Sequence, residues 1–289
     1  MTIKTLISVD ELSSLLGGRD LVVLDCRFYL TDLEKGARVY QESHIPGAIF
    51  VDLHTQLAGT ETEFTGRHPL PLEVEFSEQL ASWGIDPNSQ IVVYDDMGGA
   101  FAARAWWMLA QQGLSVRVLD GGFPEWRRSE KQVTVDVPDV ALSKDKIEVS
   151  YPWLIQEDQI VSNFESNQYI LIDARMQDRF NGENENMDPV AGHIPGALNR
   201  PFFDNLNEQQ VFKSEEQLKG EFEVLLNAEH NVDIEDSSSV SSLVHYCGSG
   251  VTACHNVLAM NQVGIEAKYV YVGSWSQWAK RMVKMMESH

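Results

Sequence analysis

Cysteine is scarce in this chain. The 289 residues hold three, Cys26, Cys247 and Cys254, which do not amount to a disulfide framework. A reducing compartment is expected from so few. Basic side chains are scarce as well: 22 Lys and Arg stand against 43 Asp and Glu, a formal net charge of −21. Nucleic acid and anionic membranes both select basic patches, so neither is expected as a partner. A small anionic ligand is not excluded, because the field at one site can oppose the global charge. No apolar run approaches the length needed to cross a membrane. A secretory leader is not expected either. Residues Met1 to Leu6 run straight into Ser8-Val9-Asp10-Glu11, which reads as a capping-box start for a helix. Together these features predict a cytoplasmic protein.

What is present is ordinary globular composition, 43% hydrophobic and 22% charged, at a length that suits two domains. The chain repeats itself. Leu21-Val22-Val23-Leu24-Asp25, ending in Cys26-Arg27, is echoed by Ile170-Leu171-Ile172-Asp173-Ala174-Arg175. The turn His44-Ile45-Pro46-Gly47-Ala48 recurs at His193-Ile194-Pro195-Gly196-Ala197. The strand Ile91 to Asp95 is answered by Ser242 to Cys247, and Val118 to Trp126 by Tyr269 to Trp278. Four matches in one order at a nearly constant separation indicate a duplicated domain. Apolar strands alternating with helical stretches imply α/β units around a parallel sheet. The expected division is a first domain over 1–137, a linker over 138–151 with a proline near each end, and a second domain over 152–289.

The two copies differ at one informative place. In the second, a short apolar run leads into Cys247-Gly248-Ser249-Gly250-Val251-Thr252, and apolar residues at helical spacing follow. Cys247 therefore ends a strand just before a helix begins. The glycines let the loop curl tightly round the sulfur. A curled loop aims backbone N–H groups inward, and the helix terminus adds positive potential. Both favour the thiolate, which is the reactive form. A cysteine so placed can also be a small buried hydrophobe; the duplicated strand–loop–helix context favours the nucleophile. In the first copy the register puts Asp95 opposite Cys247, where a carboxylate cannot serve as a sulfur nucleophile.

Tandem HIPGA segments, a cysteine loop in the second copy and an aspartate at the matching place in the first resemble the rhodanese superfamily. The resemblance covers nearly the whole chain, and the loop CGSGVTAC is similar to that of its mercaptopyruvate-using members. It implies two tandem rhodanese-like α/β domains, each a small parallel sheet flanked by helices, the first non-catalytic. It implies sulfur transfer by double displacement through a persulfide on Cys247. The acceptor would be a thiol or cyanide, and no metal or organic cofactor would be required. By the same resemblance the backbone N–H groups from Gly248 through Ser249, Gly250 and Val251 to Thr252 cradle the persulfide, and Arg179 binds the donor. Arg175 falls on a second arginine of that motif, expected to be structural. His44 is a candidate for a proton relay with Ser249 or, alternatively, a turn-fixing side chain. Mercaptopyruvate enzymes usually carry a further arginine shortly before the HIPGA histidine. Here Glu183 to His193 holds no arginine and three acids.

The expected donor is 3-mercaptopyruvate, with thiosulfate as the alternative, because thiosulfate-using relatives carry basic residues where this loop has Gly248 and Ser249. A non-catalytic sulfur-carrier module is disfavoured by the presence of Cys247. A Cys-x5-Arg phosphatase loop is disfavoured by Ala253, which stands where phosphate binding needs arginine. Cys26 and Cys254, the pair Trp106-Trp107, and Trp275 and Trp278 are expected to be packing residues. The acids of 183–188 and 229–236 are expected to be solvated. Cys247 should be the one cysteine essential for sulfur transfer. Cys247→Ser is expected to abolish turnover in a thiocyanate-release assay, while Cys26→Ser and Cys254→Ser keep most of it. Persistent transfer by Cys247→Ser would remove the proposed nucleophile.

Overall fold

A computed structural model describes residues 4–227, 232–234 and 236–288. Glu229 and Glu235 of the second acidic stretch lie outside the described residues. Ten strands occur among them: β1 (Leu6–Ile7), β2 (Leu21–Asp25), β3 (Ala48–Phe50), β4 (Gln90–Tyr94), β5 (Ser115–Leu119), β6 (Leu154–Ile155), β7 (Ile170–Asp173), β8 (Leu198–Asn199), β9 (Leu243–Tyr246) and β10 (Tyr269–Tyr271). They form two five-stranded sheets, ordered β1-β5-β4-β2-β3 and β6-β10-β9-β7-β8. Every pairing is parallel. Parallel neighbours cannot be joined by a hairpin, so the chain crosses over between them, mostly through helices. The middle strands β4 and β9 are buried from Ile91 to Tyr94 and from Leu243 to Tyr246. Continuous apolar burial is what a parallel strand covered on both faces requires.

The expected elements form nearly where the sequence puts them. Ser8 caps the helix Val9–Leu15, its side chain accepting from the Glu11 N–H. The sequence predicts a helix over 76–83, closed by Gly84, and one over 100–112 after Gly98-Gly99; they run Glu73–Ser82 and Ala102–Ala110. The stretch after Arg27, with Glu34, Lys35, Arg38 and Glu42, predicts a polar loop and instead contains the helix Lys35–Glu42. Its polar face is solvated while Gly36 and Tyr40 are buried, so an apolar stripe of small extent escaped the periodicity.

The chain forms two compact units, and they are not consecutive halves. One comprises 1–59, 70–152 and 207–212, the other 60–69, 153–206 and 213–289. The stretch 138–151, expected as a linker, packs within the first unit: Ser77 Oγ donates to the Ile147 carbonyl at 2.6 Å, and the Ser143 N–H to the Ala81 carbonyl at 2.9 Å. Segment 207–212 joins that unit through the Phe212 N–H, which donates to Asp120 at 2.9 Å. Segment 60–69 joins the second unit instead. The Lys280 ammonium donates to the carbonyls of Thr62 and Thr65, and Gln277 donates to the Phe64 carbonyl at 2.7 Å.

Each unit is fastened by the same buried knot. Arg27 grips the Asp25 carboxylate and donates to the Ser43 carbonyl, while the Tyr94 hydroxyl donates to Asp25 and accepts from the Ile45 N–H. In the second unit Arg175 grips Asp173 and donates to the Gly192 carbonyl, and the Tyr246 hydroxyl accepts from the Ile194 N–H. Arg27 lies over Phe123 as Arg175 lies over Trp275. Burial pushes both tyrosines well above their ordinary range, with the neighbouring aspartates adding to it. Trp107, Trp126 and Trp275 are among the largest fully buried side chains, in keeping with packing roles.

Just past the end of β4, Asp95 occupies a backbone cradle. Its Oδ1 accepts from the N–H groups of Met97 and Gly99, both at 2.8 Å. Its Oδ2 accepts from Phe101 and Ala102 at 2.8 and 2.9 Å. Gly98 and Gly99 take φ of 64° and 95°, a region that favours glycine. Removing the carboxylate would leave four inward N–H groups without their acceptor. Asp95→Ala is expected to destabilise the fold by at least about 2 kcal/mol, read as a lower urea midpoint at unchanged slope. An unchanged midpoint would mean that the cradle does not depend on its anion.

Candidate active site

Cys247 stands at the place in the second unit that Asp95 holds in the first, directly after the middle strand β9. Ligands of open parallel sheets characteristically gather at the carboxyl ends of the strands. Cys247 is 2% exposed, Cys26 and Cys254 are fully buried, and none of the three is bridged. The start of the helix Ser274–Glu287 pins it from one side. The Trp275 N–H donates to the Cys247 carbonyl at 3.0 Å, the Ser276 N–H to the Gly248 carbonyl at 2.9 Å, and the Cys247 N–H donates to Ser274 Oγ at 3.1 Å. Ser274 has φ of 54°, a left-handed conformation that glycine (Gly122) supplies in the first unit. A non-glycine residue held there is strained, and its hydroxyl oxygen accepts from the backbone of Cys247. Gly250, at φ 76°, turns the loop so closely under Val272 that a Cβ would overlap that carbonyl. Beyond Thr252 the helix Ala253–Gln262 begins.

Above Gly248 lies a cluster of charges. A Cβ at Gly248 would stand 3.2 Å from Arg67 Nη2 and 3.5 Å from Arg179 Nη1. Arg179 donates to Glu185 at 2.9 to 3.2 Å and approaches Asp188 at 3.4 Å. Arg67 is ion-paired with Asp188. Arg175 is bound to Asp173 at 2.7 Å, with Glu185 at 3.4 Å. The stretch 183–188 is therefore not simply a solvated loop: the Glu185 and Asp188 side chains are 2% and 3% exposed. Burial opposes ionisation of Glu185, but the Met187 and Asp188 N–H groups and the Arg179 guanidinium outweigh it and hold this carboxyl below its usual range. At Asp188 burial prevails over Arg67 and raises the carboxyl.

Ser249, 8% exposed, sits with its Oγ 2.9 Å from His68 Nδ1. His44, the candidate from the sequence, lies in the first unit. Its ring stacks on Tyr40, and its nitrogens lie 2.8 and 3.1 Å from the carbonyls of Tyr40 and Asp136. That is the turn-fixing alternative. His193 repeats the pattern with Phe180. Arg175 belongs to the buried knot. Cys254 Sγ faces the Gly250 carbonyl at 3.6 Å on the buried side of its helix.

The structure thus gathers Cys247, Gly248, Ser249 and Arg179, and adds Arg67, His68 and Ser274. The sequence reading passed over the first two because 59–71 is polar and irregular. The available signal was a basic residue and a histidine between Gly66 and Pro69 in an acidic neighbourhood. Among the described residues no group of three or more His, Cys, Asp or Glu converges as a metal site, and no helix is long and apolar enough to cross a membrane.

Known proteins match this chain along almost its whole length. A "Probable 3-mercaptopyruvate sulfurtransferase" of Pseudomonas aeruginosa is 43% identical, over 96% of this chain and 96% of that protein. A "Putative thiosulfate sulfurtransferase" of Mycobacterium tuberculosis is 35% identical over 96% of this chain and 94% of that protein. The solved 3-mercaptopyruvate sulfurtransferase from Leishmania major superposes with a TM-score of 0.86 at 28% identity, covering 100% of this chain and 78% of that one. The rhodanese-like domain model matches twice, over residues 8–129 and 157–281. Two copies of one α/β unit, matched by one family model and by relatives from end to end, make this chain a member of the rhodanese-like domain family.

Proposed function

We propose that the protein is a sulfurtransferase that takes a sulfane sulfur from 3-mercaptopyruvate onto Cys247 and passes it to a thiol or cyanide. The observation that carries the reading is the cysteine at the end of β9, in a loop whose counterpart already holds a carboxyl group on four backbone N–H groups. In the first half-reaction the Cys247 thiolate attacks the donor sulfur. The S–S bond forms as the donor's C–S bond breaks, and the electron pair leaves on carbon as the enolate of pyruvate. A proton then converts the enolate to pyruvate. In the second half-reaction the acceptor attacks the outer sulfur and leaves with it, as a persulfide or thiocyanate, and the Cys247 thiolate is restored.

Ser249 suits the carbon leaving group. Its hydroxyl can donate to the developing enolate oxygen, and His68, 2.9 Å away, can take up or return the proton. Arg179 supplies a guanidinium for the donor carboxylate. The resemblance, the loop and the names of the relatives support this reading together. Thiosulfate is the second reading, favoured by the two guanidinium groups over Gly248. The cluster as a whole argues against it. Arg67, Arg175 and Arg179 are balanced by Asp173, Glu185 and Asp188, so a dianion meets no net positive charge. The free cysteines suit a reducing compartment, and we read the protein as cytoplasmic, acting on small molecules.

Steady-state assays with both donors test the assignment. The kcat/KM for mercaptopyruvate is expected to exceed that for thiosulfate by about tenfold, the worth of one charge-assisted hydrogen bond. A higher value for thiosulfate would move the protein to the thiosulfate branch. Ser249→Ala should lower kcat with mercaptopyruvate about a hundredfold, the usual loss for one oxyanion donor. It should affect thiosulfate far less, because sulfite leaves without forming an enolate. Equal losses with both donors would take Ser249 out of the leaving-group step.

A further inference from the structure

We propose that Arg67 is a second donor-binding residue, closing with Arg179 a two-guanidinium clamp above Gly248. The inference rests on the sulfur-transfer reading and adds to it a binding group from a segment distant in sequence. The motif stretch 183–193 lacks the second arginine that mercaptopyruvate users carry, and it places Asp188 near the loop instead. Arg67 comes to that acid from segment 60–69, which packs in the second unit.

Three observations support a ligand between the two arginines. First, the residue after the nucleophile faces both: from Gly248 a Cβ would lie 3.2 Å from Arg67 Nη2 and 3.5 and 3.8 Å from Arg179 Nη1 and Nη2. Having no side chain there leaves that space clear. Second, Arg67 has donor capacity in reserve. Nη1 is committed to Asp188, while the buried Nε has no hydrogen-bond partner among the described residues. Third, both side chains remain reachable, at 21% and 19% exposure. Two like charges stand side by side because Asp188 accepts from each, Oδ1 from Arg67 and Oδ2 from Arg179. A donor carboxylate arriving from the open side meets the same pair of planar forks.

The segment is also locked to the loop it serves. The Arg67 N–H donates to Ser276 Oγ at 3.1 Å, and the Ser276 N–H donates to the Gly248 carbonyl at 2.9 Å. One serine thus sets the arginine and the loop in register. Gly66 makes the approach possible, since a Cβ there would overlap the Gly273 carbonyl.

The double-displacement reaction separates a binding role from a structural one. The kcat/KM for the donor reports only the loading of Cys247, and the kcat/KM for a neutral thiol acceptor reports only its discharge. Arg67→Met and Arg67→Lys are compared with the wild type, using mercaptopyruvate and 2-mercaptoethanol. Arg67→Met is expected to raise KM for mercaptopyruvate about ten- to a hundredfold with kcat nearly unchanged, and to leave kcat/KM for the acceptor as it was. Arg67→Lys, which keeps the charge beside Asp188 but not the fork, should fall between. If Arg67→Met does not fold, the donor-only defect of Arg67→Lys decides. Equal losses in both specificity constants, or a donor KM at the wild-type value in the folded variants, would overturn the clamp while leaving the sulfur-transfer reading intact. A wild-type protein that transfers no sulfur from either donor would overturn both.

Discussion

The loop after the middle strand of the first unit depends on one interaction: the buried Asp95 carboxylate is held by backbone N–H groups alone. The loop after β4 does this for Asp95 with four hydrogen bonds between 2.8 and 2.9 Å. Such a loop needs a strand that stops abruptly, a left-handed turn and a helix that starts at once. Gly98 and Gly250, at corresponding places, both have positive φ. The copy that carries Asp95 closes its loop on a carboxylate, and the other places Cys247 directly after the corresponding strand.

Around that cradle the protein solves a charge problem. A chain of net charge −21 is a poor attractor of anions, and its Arg67, Arg175 and Arg179 are each tied to an acid. Taking charges from water costs several kcal/mol per ion, on the order of what a well-made pair returns. The pairs therefore contribute less to stability than to order. They fix where each guanidinium points before any donor arrives, which lowers what binding must spend on ordering. Asp188 and Glu185 differ instructively. Backbone N–H groups and an arginine hold Glu185 ionised, whereas burial raises Asp188 in spite of Arg67. The carboxylate with the weaker hold is the one that bridges Arg67 and Arg179.

Duplication explains why so much of the scaffold is redundant. The Asp–Arg–Tyr knot, the histidine stacked on an aromatic ring in the HIPGA turn and the cation over an aromatic ring all occur twice. What occurs once is at the site: Cys247, Ser249 with His68, and the strained Ser274 in place of Gly122. The shared features belong to the scaffold of each unit, and the unshared ones cluster around Cys247.

The sequence by itself determined the fold class, the duplication and the place of Cys247 between a strand and a helix. Strands buried on both faces read as unbroken apolar runs, and a repeat announces itself twice; both signals are local. Cys247 and its glycines are likewise contiguous, so strand, loop and helix could be read in one pass. Arg175 as a structural residue followed from its motif. The tertiary structure alone decided who faces that loop. Arg67 and His68 lie far from Cys247 along the chain, in a polar stretch without periodicity, and only packing of 60–69 in the second unit brings them to Gly248 and Ser249. Packing within the second unit also turned Glu185 and Asp188 from apparent solvated acids into buried counter-ions, while Glu183 stays exposed. Charge pairing over long sequence separation leaves no periodic trace, because it is set by where side chains end in space and not by the order in which the chain spells them.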